Sequence, residues 1–196
     1  FTRAISKPGM LFQHITTNEP DDSQIEVAIA ALKAVIPENK AEDEFGQQKR
    51  GVKIRCVDFD NNGPYIFYNE NNLDDITIYI STNCINNQDL AKFQIAHEII
   101  HCLHPNHTQD VTNLEEGVAV LFQKRCMPMI DFGPNDGKYV NVYNLANNLL
   151  KYDEQIIKKA REYEPNISKI PIPLLLNICP QINHNLLNAL VRPFYR

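Results

Sequence analysis

Residues 97 to 101 read His97-Glu98-Ile99-Ile100-His101. Two imidazoles four residues apart on a helix project from one face, and both can reach a single tetrahedral zinc ion at about 2.0–2.1 Å. Glu98 then sits beside the metal. From there it can accept a proton from zinc-bound water, whose pKa the cation has lowered, and deliver it to a leaving amine. The chemistry implied is hydrolysis of a peptide bond. A hydrolytic zinc site takes a third protein ligand and keeps its fourth position open, and three downstream residues compete for the third place: His107, Glu115 and Glu116.

These side chains need a rigid carrier. Asp89 to about His104 reads as one helix, with Asn86-Asn87 as capping residues and Pro105 setting its end. Phe93, Ile95, Ala96, Ile99, Ile100, Cys102 and Leu103 cover most of its circumference and leave a narrow stripe of Gln94, His97, Glu98 and His101. A helix so apolar is buried, and its polar stripe must find partners inside the protein. Cys102 reads as a small buried residue on the apolar side.

Around this helix the periodicities predict a small sheet and further helices. Ser23 to Ile36 has helical spacing, with Asp22 or Ser23 as cap and Pro37 as stop. Glu38 to Arg50 reads as an exposed loop. Val52 to Phe59, Tyr65 to Tyr68 and Ile76 to Ser81 read as strands, and the turn-rich Asp60-Asn61-Asn62-Gly63-Pro64 predicts a hairpin between the first two. A second helix is expected over Val111 to Arg125. Val140 to Tyr152, Asp153 to Tyr163 and short segments among the later prolines follow as helices.

At 196 residues the chain suits one domain or a core with an appendage: residues 1–130 as core and 131–196 as a helical C-terminal extension packing on it. Hydrophobic residues make up 43% and charged residues 22%, and the net charge of −5 offers no basic patch, so no nucleic acid is expected. No apolar run is long enough for a membrane-spanning helix. Five scattered cysteines without a C-x-x-C pair argue against a cysteine zinc ribbon and read as reduced thiols in a cytoplasmic setting. A targeting segment upstream of Phe1 would lie outside this sequence.

His107 has the spacing of the metzincins, whose motif extends to HExxHxxGxxH. That pattern places glycine where this chain has His104, and Pro105 restricts the residue before it to extended conformations. The segment Asn113-Leu114-Glu115-Glu116-Gly117-Val118-Ala119 instead resembles the second metal helix of the gluzincins, and this resemblance selects Glu116 as third ligand, with Glu115 as the alternative. The small Gly117 and Ala119 are expected to let this helix approach the histidine helix closely.

The run from Ile76 to Ile80 through Phe93–His101 to His104-Pro105, with Met127-Pro128 after the second helix, resembles the ImmA/IrrE-like metallopeptidases. The resemblance implies an α+β zincin-like domain with a small, mainly antiparallel three-stranded sheet, an active-site helix, a glutamate-bearing second helix and a helical C-terminal part. It implies Zn²⁺ held by His97, His101 and Glu116, with Glu98 as general base and a peptide or protein as substrate. Ile76 to Ser81 would line the cleft and pair with an extended peptide. Tyr139, Tyr143, His104, His107 and His184 are candidates for stabilising the developing oxyanion. Two other readings stay open: a non-catalytic module pinned by its metal, and a metzincin-like peptidase using His107.

Overall fold

The structure, a computed structural model, describes residues 40–105, 110–133 and 136–195. The expected helix at Ser23 to Ile36 lies outside them, as does His107. Among the described residues the fold is α+β, with seven α-helices and one three-stranded sheet. The elements are α1 (Lys40–Phe45), β1 (Lys53–Asp60), β2 (Tyr65–Asn69), β3 (Asn72–Ser81), α2 (Gln88–Cys102), α3 (Asn113–Cys126), α4 (Gly137–Leu150), α5 (Ile156–Arg161), α6 (Ile172–Ile178) and α7 (His184–Leu190). None of the helices is long and apolar enough to cross a membrane.

The sheet is mixed, in the order β1-β3-β2, with β1 parallel and β2 antiparallel to β3. The expected β1–β2 hairpin is therefore absent. The strand with the most to bury takes the centre: Ile76, Ile78 and Ile80 of β3 are at most 1% exposed, whereas β1 carries Lys53, Arg55 and Asp58 and takes an edge. The tight hairpin is the one between β2 and β3, where Asn69 Oδ1 accepts the Asn71 N–H at 2.9 Å. The turn after β1 instead carries the chain across the end of β3. A side chain at Gly63 would lie 2.6 Å from the Ile80 carbonyl carbon, so only glycine lets this crossing pass. Because β3 is paired with β1 on one side and, over Ile76 to Tyr79, with β2 on the other, that stretch has no free edge to offer a substrate.

The stretch read as an exposed loop also folds. Lys40–Phe45 is a short helix that buries Ala41 and Phe45, and the Phe45 ring meets Phe122 of α3 edge-on at 6.0 Å. One buried phenylalanine was enough to override a polar composition.

Helix α2 packs on β3 and β2, α3 packs against α2 and α4, and one continuous apolar cluster runs from Ala41 through both helices to Leu190. Gly117 is not at the α2–α3 contact as expected. A Cβ there would meet the Val142 carbonyl oxygen at 2.5 Å and Ala146 Cβ at 3.0 Å, so the glycine admits α4. One residue beyond Glu116 is about 100° further round the helix, so when Glu116 faces α2 its neighbour must turn away.

Arg161, at the end of α5, is 6% exposed and spends its guanidinium on main-chain carbonyls. Its Nη1 donates to Phe45 (2.8 Å) and Gly46 (2.6 Å), Nη2 to Gln47 (2.9 Å) and Leu103 (3.4 Å), and Nε to Pro165 (2.9 Å). The segment after α1 is thereby fastened to the C-terminal end of α2, where Gln48 Nε2 also donates to Cys102 O and Lys49 N–H to Leu103 O. Burial lowers the Arg161 pKa to about 10, partly offset by the charges of Glu115 and Glu42, so it stays charged at neutral pH. Arg161→Ala leaves several buried carbonyls without donors and is expected to cost about 3 kcal/mol. Urea unfolding checks this; a loss below about 1 kcal/mol would mean water replaces the guanidinium freely.

Candidate metal centre

Helix α2 begins where the Asn87 side chain accepts the Leu90 N–H at 3.1 Å, and α3 begins at Thr112, whose hydroxyl accepts the Glu115 N–H at 3.5 Å. The two helices pack with their polar residues face to face. His97, His101 and Glu116 are 7%, 6% and 0% exposed, and Glu98 is 2% exposed. Ionisable groups so deeply buried persist only when paired or coordinated.

The ligand atoms converge. His97 Nε2 lies 3.3 Å from His101 Nε2 and 3.3 Å from Glu116 Oε1, and His101 Nε2 lies 3.7 Å from Glu116 Oε2. Atoms bound at 2.0–2.1 Å to one tetrahedral ion stand about 3.3 Å apart, so two imidazoles and a carboxylate at these separations suit zinc in both spacing and donor type. Among the described residues these three form the group that could hold a metal ion.

Glu115 and Glu116 take different places. Glu116 faces the two Nε2 atoms, while Glu115 Oε1 lies 2.7 Å from His101 Nδ1. A carboxylate there holds the proton on Nδ1 and leaves the Nε2 lone pair for a metal. The other Glu115 oxygen accepts from Ser168 Oγ at 2.5 Å, and Ser168 Oγ in turn accepts the Thr112 N–H at 2.9 Å. Ser168 lies 53 residues from Glu115, in the 3₁₀ turn Ile167–Lys169 whose start Asn166 caps. Nothing in the local sequence around Ser168 marks it as a supporting residue.

Gln94, the fourth member of the polar stripe, is also satisfied. Its Oε1 accepts the Ser81 N–H at 2.8 Å and the Cys84 thiol at 3.2 Å, pinning the end of β3 to α2. Glu98 makes no such bond to the described residues and lines a cleft of about 320 Å³ together with His97, Phe93, Gln123, Phe132 and Tyr139. Of the described oxyanion candidates only Tyr139 reaches this cleft. Tyr143 leans on Phe132, and His184 is exposed at the start of α7. His104 follows α2 with its Nδ1 buried and without a hydrogen bond, and it stands outside the metal-competent group. Cys102 is fully buried, and burial, with the Glu98 charge, pushes its thiol pKa well up, so it stays neutral. All five cysteines are free thiols.

Residues 1–38 match the model of a family described as proteins of unknown function, DUF1385. No curated protein and no solved structure matches the chain.

Burial works against a charge on His101, but its hydrogen bond to Glu115 and the charges of Glu115, Glu116 and Glu98 outweigh it and lift the pKa from 6.5 to about 9. A pKa raised in the folded state contributes stability that is complete below 6.5 and is lost as pH rises through about 9. The metal-free protein should therefore lose about 3 kcal/mol across that window. Urea denaturation of chelator-treated protein from pH 6 to pH 9.5 reads this directly, and a pH-independent midpoint would contradict it.

Proposed function

We propose that this chain is a zinc-dependent peptidase of zincin type, related to the ImmA/IrrE-like metallopeptidases it resembles. In this reading His97, His101 and Glu116 hold the metal and Glu98 is the general base and acid. The observation that carries it is the division of labour along one helix stripe: His97 and His101 turn toward Glu116, while Glu98 turns into the cleft beside His97. A carboxylate 2% exposed at the wall of a cleft is costly to keep unless it serves chemistry there.

A bound zinc ion would polarise the scissile carbonyl and acidify a water molecule. Glu98 receives the water's proton and returns it to the departing amine. Glu115 keeps His101 in the tautomer and orientation that ligation needs, and Ser168 holds Glu115 in turn. Tyr139 is the described residue best placed in the cleft to donate to a developing oxyanion. Since β3 is central, an extended peptide would instead meet the outer edge of β2, whose first residue, Tyr65, follows cleft-lining Pro64.

Glu98→Gln is isosteric and keeps the ligands, so it should bind zinc like the parent while peptide hydrolysis falls by about a thousandfold or more. His97→Ala should lose the zinc. Metal analysis and cleavage of a casein-derived peptide mixture, read by mass spectrometry, check both. A Glu98→Gln protein that cleaves as fast as the parent would overturn the role assigned to Glu98, and a zinc-loaded parent that cleaves nothing would favour a metal-pinned binding module.

A further inference from the structure

The cleft beside Glu98 has a direction and a chemistry of its own. Leu90, Phe93, Gln94, His97 and Glu98 face it from α2, so at 1.5 Å per residue it runs about 12 Å along the helix, the length of three to four extended residues. Phe93 on this wall and Phe132 and Tyr139 opposite make a pocket for a large apolar side chain. Its charges have one sign: Glu98, Asp131 and Asp136 line it, and no lysine or arginine does so among the described residues.

Two lysines beside lining residues are engaged at the rim of the cleft. Lys124 Nζ lies over the Phe132 ring at 5.2 Å, donates to the Pro128 and Ile130 carbonyls and stands 3.8 Å from Asp131. Lys138 Nζ lies 5.9 Å from the Tyr139 ring centre and donates to Tyr195 O. Lys124 thus offsets much of the fully exposed Asp131. Asp136 is only partly exposed, and its Oδ2 is fixed by the Gly133 N–H at 2.7 Å. It is the better anchor for an incoming cation.

We propose that this cleft selects peptide segments in which a bulky apolar residue stands next to a lysine or arginine, the apolar side chain seated against Phe93, Phe132 and Tyr139 and the cation at Asp136. The inference rests on the peptidase reading but is tested by binding alone. An acidic residue in the same place would meet the like charge of Asp136 and bind more weakly.

The test uses zinc-loaded Glu98→Gln protein, which holds a peptide without consuming it, and fluorescein-labelled decapeptides identical except for a central Phe-Lys, Phe-Glu or Gly-Lys pair, followed by anisotropy. The Phe-Lys peptide should bind about fivefold more tightly than Phe-Glu and about tenfold more tightly than Gly-Lys. Adding Asp136→Asn keeps an acceptor for the Gly133 N–H and should abolish the preference for lysine over glutamate while sparing that for phenylalanine. Equal or tighter binding of Phe-Glu, a lysine preference that survives Asp136→Asn, or no binding of any peptide would each overturn the proposal. A parent protein that binds Phe-Lys selectively but never cleaves it would retain this inference and refute the peptidase reading; cleavage without any such preference would do the reverse.

Discussion

Burying two imidazoles and a carboxylate between two apolar helices is the constraint to which the rest of the structure answers. Desolvating such groups costs several kcal/mol each unless they neutralise, pair or coordinate. At the α2–α3 contact they do so together, with His97, His101 and Glu116 converging to the spacing of ligands about one small cation. The outer contacts then read as restraints on that convergence. Gln94 ties α2 to β3, Arg161 and Gln48 hold the C-terminal end of α2, and the Thr112–Ser168–Glu115 chain fixes the ring of His101.

The parts of this arrangement that depend on one helix were legible in the sequence, because helical spacing fixes which residues share a face. The stripe of Gln94, His97, Glu98 and His101, the Asn87 cap and the burial of Ile95, Ala96, Ile99, Ile100, Cys102 and Leu103 follow from residues 86 to 105, whereas Phe93 is half-buried and faces the cleft. Glu116 was selected only through resemblance, and its orientation toward the histidines depends on how α3 is rotated in the packed core. The same rotation explains why Gly117 serves α4 rather than α2.

The order β1-β3-β2 is not legible in the sequence for a related reason. The Asp60–Pro64 turn signal is local and says only that the chain reverses, whereas the place of each strand depends on which one can bury both faces and edges. Phe45 in a polar stretch, Ser168 behind Glu115 and Arg161 beneath the end of α2 were invisible because each acts across a large sequence distance, 53 residues for Ser168 and more than a hundred for the bond from Arg161 to Phe45. Serine and arginine are ordinary at exposed positions and one phenylalanine does not make an apolar period, so only the packed fold gives these three their partners.

Which atoms would surround a bound zinc ion is read most directly by X-ray absorption at the zinc edge. Protein loaded with one equivalent of zinc should show two imidazoles by their multiple scattering and oxygen ligands at about 2.0 Å, with no sulfur shell. A third imidazole, a sulfur shell near about 2.3 Å, or failure to retain zinc would contradict a site built from His97, His101 and Glu116.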